Sequence, residues 1–204
     1  MTQLESARAG RVTGEMEEAA RYDGIEPEEF RKRVAAGTVV LPKNKAHSFV
    51  PRGIGEGLST KINANIGTSL SHADMEEELE KLRVSVEAGA DAVMDLSTGG
   101  DLDAILSGIV TEAEVMVGTV PVYRAMSRIM KRGGGCGDLS VDALFEDIEH
   151  QARLGVDFIT VHCGITRNTL SVLDGCERLM GIVSRGGSLM AEWMQIHGSE
   201  NPLY

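Results

Sequence analysis

Short apolar runs alternate with amphipathic stretches over most of the chain from Thr60 onward. The runs are continuous and do not alternate with polar residues, which predicts strands that are buried on both faces. Five such strands are predicted: Lys61–Ile66, Ala92–Leu96, Val115–Val122, Phe158–Val161 and Gly181–Val183.

Helices are predicted between these strands. The clearest spans Asp74–Ala88, where apolar residues recur on one face and acidic residues with Lys81 occupy the other. Leu102–Val110, Val141–Leu154 and Leu189–His197 show similar periodicity and are predicted as further helices.

The first part of the chain is predicted to form a separate helical segment. Thr13 can cap a helix over Glu15–Tyr22, and Glu26-Pro27 begins a second helix that runs to Ala36 and closes at Gly37. A loop rich in Gly and Pro follows. We therefore predict an N-terminal segment over residues 1–57 and a second domain over residues 58–204.

An internal repeat indicates the fold class. Residues 88–95 resemble residues 154–161, because in both a helix ends at Gly and a strand begins after Asp. The offset of 66 residues is two units of 33, about the length of one βα unit. Repeating β-α order predicts a parallel sheet, either in a barrel or in a doubly wound open sheet.

The barrel is the favoured arrangement. The first strand-to-helix turn lacks the GxGxxG pattern of a dinucleotide-binding sheet, and polar residues follow successive strands, as at the mouth of a TIM barrel. Eight units need roughly 250 residues. We therefore predict an α/β chain with a (β/α)8 TIM-type barrel, of which about the first five βα units are present after the helical segment.

Composition and charge exclude several classes of protein. The net charge of −11 would repel nucleic acid over most of the surface. The start of the chain has no apolar signal-peptide region, and no apolar run approaches the roughly 20 residues of a membrane span. Three cysteines without CxxC spacing indicate a reducing compartment. A cytoplasmic protein that binds neither nucleic acid nor membrane is expected.

The strongest local signal for chemistry is Ser184-Arg185-Gly186-Gly187. Glycines let the backbone approach a ligand, their N–H groups can bind phosphate, and Arg185 adds a bidentate donor. An ordinary strand-to-helix turn explains the same residues. His162 follows a buried strand, and a satisfied core histidine explains it as well as a functional one does. No metal site is visible, since the five histidines show no i, i+4 pairing.

Several motifs at the predicted strand ends resemble those of the phosphomethylpyrimidine synthase family, in its N-terminal portion. They are KINANIG at Lys61–Gly67, VMDLSTG at Val93–Gly99, GTVPVY at Gly118–Tyr123, GVDFITVHCG at Gly155–Gly164 and GIVSRGG at Gly181–Gly187. The opening residues and the ending ENPLY at Glu200–Tyr204 are similar as well. The resemblance covers essentially the whole chain.

The resemblance implies a (β/α)8 barrel that carries out a radical S-adenosylmethionine reaction, as a carbon–carbon lyase of thiamine biosynthesis. The family rearranges 5-aminoimidazole ribonucleotide to hydroxymethylpyrimidine phosphate with a [4Fe-4S] cluster, S-adenosylmethionine and zinc. Carried over motif by motif, the implied substrate-binding residues are Asn65, Met94, Tyr123, His162, Ser184, Arg185 and Gly186. The resemblance assigns no catalytic residue.

The sequence lacks two metal-binding motifs of the family. The family's CxxCxxxxC cluster motif and its zinc-binding histidines lie in its C-terminal part and are absent here, so their ligands are expected outside this chain. The chain alone is expected to be inactive, and to form a homodimer or to associate with the missing C-terminal half. The connection Lys131–Gly137 also differs from the family's usual one.

Two alternatives to the thiamine enzyme stay open. A paralogous group with the same motifs makes hydroxybenzimidazole, the lower ligand of cobamides, and product analysis would distinguish it. A truncated, non-catalytic protein that keeps ligand binding is the other, and an adjacent reading frame with the cysteine motif would argue against it.

Overall fold

Three helices form the first part of the chain in the computed structural model, which describes residues 1–173 and 175–204. They are α1 (Gln3–Arg8), α2 (Gly14–Asp23) and α3 (Pro27–Ala36). Thr13 caps α2, and Gly37 ends α3 in the left-handed conformation. The two predicted helices are therefore confirmed, and α1 is an additional one.

The N-terminal helices have a hydrophobic core of their own. Its buried residues all come from the first part of the chain: Ala7, Met16, Ala19, Ala20, Phe30, Val34, Val39 and Leu41. A two-stranded antiparallel sheet of β1 (Val39–Val40) and β2 (Ile54–Gly55) follows.

A four-stranded parallel sheet forms the centre of the second part. Its strands are β3 (Asn63–Ile66), β4 (Ala92–Asp95), β5 (Met116–Thr119) and β6 (Phe158–Ile159), in the order β3-β4-β5-β6. In the pairing register, Asn65 lies beside Met94, Met94 beside Gly118, and Gly118 beside Phe158. Each strand thus pairs with the next one in the chain, as the repeating β-α order predicts.

Helices connect and follow the strands. They are α4 (Met75–Glu87), α5 (Leu102–Glu112), α6 (Pro121–Lys131), a 3-10 helix (Cys136–Asp138), α7 (Val141–Leu154), α8 (Arg167–Leu173) and α9 (Arg185–His197). One core lies between the sheet and α4 and α5, and includes Leu82, Val93, Ile109 and Val117. A second core joins α6, α7 and α9 and includes Met126, Leu144, Met190 and Trp193.

The fifth predicted strand is wrong. Residues 181–184 are irregular and lead directly into α9, which begins at Arg185 and not at Leu189. A strand needs a partner for its backbone groups, and β6 pairs only through Phe158 and Ile159. Among the described residues the sheet therefore has four strands and does not close into a barrel.

Burial of the strands on both faces is confirmed only in the middle of the sheet. All four residues of β5 are buried, and three of the four in β4. Asn63 and Asn65 of β3 are exposed, as is Ile159 of β6. In β3 the exposed Asn63 and Asn65 alternate with the more buried Ala64 and Ile66, so one face of this strand is uncovered in the described part of the chain.

A buried polar contact fastens the loop after β1 to the sheet. His47 Nδ1 lies 2.7 Å from Asp157 Oδ2, and His47 Nε2 lies 2.9 Å from the Ala113 carbonyl oxygen. The Asn44 backbone N–H donates to Asp157 Oδ1 at 2.7 Å. The two side chains of the His47–Asp157 pair are 3% and 0% exposed, so the loop is held at a fixed place on the sheet.

None of the helices in the described part of the chain combines the length and the apolar character that crossing a membrane would require.

Candidate functional site

The N-terminus of α9 lies at the centre of the candidate site. Ser184 is the N-cap, and its Oγ accepts a hydrogen bond from the Gly187 N–H at 3.2 Å. The first N–H groups of a helix have no acceptor within the helix, and the helix dipole makes this end favourable for anions. The predicted Ser-Arg-Gly-Gly turn is thus a helix cap followed by the first helical turn.

His162 lies directly against this helix end. Its Nε2 is 3.1 Å from Ser184 Oγ. Gly186 is buried under the imidazole, and a Cβ at Gly186 would overlap with the ring atoms. The close packing of the ring therefore depends on a glycine at this position.

The second nitrogen of His162 has an unusual environment. Nδ1 is buried and has no hydrogen-bond partner among the described residues. Burial lowers the pKa of His162 below its ordinary value, which favours the neutral ring at neutral pH. A buried polar atom without a partner is costly, and this one lies over Gly186, where a Cβ would come within 2.5 Å of it.

Tyr123 and Arg185 form a second part of the site. The Arg185 guanidinium carbon lies 4.8 Å from the centre of the Tyr123 ring, within cation–π range. The two residues line a cavity of about 410 Å³ together with Leu70, Thr98, Met126, Ser127, Met130, Lys131 and Leu189. Tyr123 was expected at the end of a strand, but β5 stops at Thr119 and Pro121 begins α6.

Asn65 and Met94 are neighbours in adjacent strands. The register pairs them, so their side chains point to the same face of the sheet. Asn65 is exposed and accepts a hydrogen bond from Asn63 Nδ2 at 3.0 Å. Met94 is half-buried, packs against the second core and lies 3.8 Å from Thr160 Oγ1 through its sulfur.

The predicted site residues form three groups in the structure. Direct contacts join His162 to Ser184 and Gly186, and Arg185 to Tyr123. The sheet register joins Asn65 to Met94. Between these groups the structure gives no direct side-chain contact in the described residues. Asn65 and Met94 lie in β3 and β4, Tyr123 in the first turn of α6, and His162 in the loop after β6, while the other three residues lie at the start of α9.

The side chain of Asp95, at the end of β4, accepts a hydrogen bond from the backbone of the following turn. Its Oδ1 accepts a hydrogen bond from the Ser97 N–H at 2.9 Å. Burial raises the pKa of Asp95 above its ordinary value, against the lowering effect of the bonds to Ser97. The carboxylate thus shapes the turn after β4.

A polar network behind Tyr123 was not predicted from the sequence. Arg124 donates to Asp103 at 2.8 and 2.9 Å and to the fully buried Asp147. Asp147 accepts from Gln151 Nε2 at 3.1 Å, and Gln151 accepts from Thr119 at the carboxyl end of β5. The sequence did contain a signal for this network. Asp147 and Gln151 are four residues apart and therefore lie on the same face of α7, which is its buried face.

The cysteines do not form a metal centre. Cys136 is buried and its Sγ lies 3.3 Å from the Leu189 carbonyl oxygen, while Cys163 is half-buried and Cys176 exposed. Over residues 1–173 and 175–204, no group of three His, Cys, Asp or Glu side chains could hold a metal ion. An iron–sulfur cluster is held by cysteine thiolates, and structural zinc usually has four ligands. The described residues fit neither.

The fold is that of an α/β protein with a parallel sheet, a class that binds ligands at the carboxyl ends of its strands. Comparison with known proteins gives the particular family. Residues 2–204 match the family model described as the radical SAM ThiC family. The chain belongs to that family.

The curated relatives agree with this assignment. A phosphomethylpyrimidine synthase of Thermus thermophilus is 53% identical over 206 residues, which cover 100% of this chain and 47% of the relative. That of Syntrophus aciditrophicus is 49% identical over 205 residues, and phosphomethylpyrimidine synthase 1 of Methanosphaera stadtmanae is 50% identical over 204; both alignments cover all of this chain and 48% of the relative. The chain spans about half the length of these relatives.

Proposed function

We propose that this chain supplies part of the substrate site of a phosphomethylpyrimidine synthase. The reaction is the radical S-adenosylmethionine rearrangement of 5-aminoimidazole ribonucleotide to hydroxymethylpyrimidine phosphate in thiamine biosynthesis. The observation that carries the proposal is the meeting of His162 with the N-terminus of α9, in a chain that matches the family from end to end.

The start of α9 suits the phosphate of the substrate. Free N–H groups of the first turn and the helix dipole favour an anion, and the exposed Arg185 can add a charge-assisted contact. Ser184 is already used as the cap of the helix. Gly186 contributes its backbone, while its missing side chain leaves room for His162.

The other residues suit the uncharged part of the ribonucleotide. Asn65 and Tyr123 offer hydrogen-bonding groups for ribose or imidazole, and His162 offers its buried, unpartnered Nδ1. Met94 provides an apolar surface next to Asn65. A ligand that reaches both Asn65 and Arg185 would lie across the carboxyl edge of the sheet.

The cofactors of the proposed reaction would be held elsewhere. The family name implies S-adenosylmethionine and an iron–sulfur cluster, and zinc is a further expectation. Because the described residues fit neither metal site, we propose that the ligands come from outside this chain. We propose that the partner is the C-terminal half of the enzyme or a second copy of the chain. Residues 58–204 would form the first part of a TIM-type barrel, which the partner would complete, and residues 1–57 would form a separate segment.

The thiamine reaction is preferred over synthesis of hydroxybenzimidazole. The relatives from Thermus, Syntrophus and Methanosphaera are all called phosphomethylpyrimidine synthases. Product analysis of the complete protein would distinguish the two products.

Arg185 provides the test of the phosphate assignment. In the chain fused to the C-terminal part of the Thermus relative, Arg185→Ala removes a charge-assisted contact worth ~1.5–3 kcal/mol. Affinity for the ribonucleotide should fall roughly 10- to 150-fold at ~1.4 kcal/mol per decade. Arg185→Lys should restore only part of it, because a point charge cannot replace the planar guanidinium. Titration calorimetry measures both.

The dephosphorylated riboside is the control ligand, and Arg132→Ala is the control variant. Arg132 is exposed at the end of α6, so its loss should leave both affinities unchanged. The riboside should bind wild type and Arg185→Ala about equally. If Arg185→Ala distinguishes ribonucleotide from riboside as well as wild type does, the assignment of Arg185 is wrong.

A further inference from the structure

The ENPLY segment at the end of the chain contacts the loop that carries His162. Asn201 is only 3% exposed. Its Nδ2 donates to the His162 carbonyl oxygen and to the Ile165 carbonyl oxygen, both at 2.8 Å. The two bonds bridge a stretch of the loop between β6 and α8. The two N–H groups of one asparagine side chain thus satisfy both carbonyl groups.

The rest of the segment is arranged so that Asn201 stays in place. Its Oδ1 accepts a hydrogen bond from the Leu203 N–H at 3.0 Å. Glu200 accepts from the Asn201 N–H at 2.8 Å and from the Arg167 N–H at the start of α8 at 3.1 Å. Both N–H groups and the oxygen of the Asn201 side-chain amide therefore have a partner, which favours one orientation of the amide.

The loop is also fixed on either side of His162, since Thr169 Oγ1 donates to the Gly164 carbonyl oxygen at 3.2 Å. Its start is anchored where the Thr160 N–H donates to the Thr119 carbonyl oxygen at 2.8 Å. Beyond that point the backbone of His162 is held by Asn201, while its ring packs on Gly186 and meets Ser184. The backbone anchor and the ring contacts together determine where Nδ1 points.

We propose that Asn201 is a positioning residue for His162, which fixes the backbone of the His162 loop so that the imidazole faces the ligand site. The role in ligand binding rests on the proposed function, whereas the mechanical link between Asn201 and the imidazole does not. In this proposal Asn201 acts on ligand binding only through His162.

The test compares Asn201→Ala and Asn201→Ser with wild type. NMR titration of the ring resonances follows the pKa of His162, which burial holds low in the wild type. In Asn201→Ala the loop loosens and the ring gains water, so this pKa should rise toward its ordinary value. Asn201→Ser keeps one donor and should give an intermediate result. The other four histidines should titrate as before, which reports that the fold is intact.

Ligand binding is the second measurement, and Asn168→Ala is the control variant. Asn168 lies on exposed α8, so its substitution should change neither the pKa of His162 nor the affinity. In the fusion protein, Asn201→Ala should weaken binding of ribonucleotide and riboside alike, on the order of tenfold, because Arg185 is untouched.

The outcomes separate the two proposals. If Asn201→Ala and Asn201→Ser leave the pKa of His162 unchanged, the positioning role is refuted even when the wild type binds ribonucleotide. If the wild type binds no ribonucleotide, the proposed function fails, and a raised pKa in the variants still supports the link to His162. Should Asn201→Ala fail to fold, Asn201→Ser decides by the same criterion.

Discussion

The imidazole of His162 occupies the space that a side chain at position 186 would need. Gly186 is the second residue of α9, and its backbone is where the ring rests. The glycine therefore has a role different from the one expected, which was a direct approach of its backbone to the phosphate. Both roles can coexist, because the N–H points along the helix axis while the missing Cβ faces the ring.

Gly186→Ala should displace the His162 ring. Overpacking of this kind costs about 1–3 kcal/mol of stability. We expect a lower midpoint in urea denaturation and shifted His162 ring resonances. The control is Gly14→Ala, since Gly14 also lies in the first turn of a helix but has open space around it. Unchanged His162 resonances in Gly186→Ala would contradict the packing described here.

The Ser-Arg-Gly-Gly sequence predicted a phosphate-binding turn at Ser184 and Arg185, but the helix was predicted to begin only at Leu189, so the role of Ser184 as N-cap was missed. Local sequence was insufficient for Asn201. Asparagine before proline is typical of any turn, and its two carbonyl partners lie 36 and 39 residues away in the chain. Contacts over such separations depend on the tertiary fold and leave no periodic signal.

Helices were predictable from the sequence where they are long and amphipathic, and strands where they lie in the middle of the sheet. Helix α7 has the predicted bounds, Val141–Leu154, and β4 and β5 lie within the predicted runs. The apolar run at Gly181–Val183 was wrongly predicted as a strand, because so short a run is as common before a helix as in a strand. Only pairing with a neighbouring strand distinguishes a strand from the segment before a helix, and the local sequence pattern does not show such pairing.

The surroundings of His47 predict that the stability of the fold depends on pH. Burial disfavours a charged ring, but the hydrogen bonds to Asp157 and to the Ala113 carbonyl, with the charge of Asp157, raise the pKa of His47 above its ordinary value. Lys43 acts weakly in the opposite direction. The resulting stabilisation is complete below the unfolded-state pKa of about 6.5 and is lost as the pH rises through the folded-state pKa.

We therefore expect the free energy of unfolding to decrease as the pH rises above about 6.5. His47→Gln should reduce this dependence, which urea denaturation at a series of pH values measures. His72→Gln is the comparison: Glu77 also raises the pKa of His72, but both side chains are exposed, so the contribution of this pair to the slope should be small and screened by salt. A wild-type slope that persists in His47→Gln would show that another group is responsible.

At the scale of the whole molecule, apolar side chains are exposed on the segment before α9. Leu179 is 98% exposed and Met180 74%, and Val172 and Val183 are also exposed. They lie in the part of the chain that follows β6, whose outer edge is open in the described sheet. Exposed apolar surface and an open strand edge both favour association.

We expect the chain on its own to dimerise or aggregate, as light scattering coupled to gel filtration would show. Leu179→Gln combined with Met180→Gln should shift it toward monomer, while Tyr204→Gln, at an exposed position outside the segment, should not. A clean monomer with a high, cooperative melting temperature would contradict the expectation. Addition of the C-terminal part of the Thermus relative should suppress self-association if the same surface binds it.

The order of the sheet has a consequence for how the protein is made. Because β3, β4, β5 and β6 are neighbours in space in the order in which they are synthesised, each new βα unit can dock on a completed one as it leaves the ribosome. Within the described sheet, no strand has to wait for a later one to be inserted beside it. The growing edge of the sheet is at every stage the binding site for the next segment, so translation itself can guide assembly.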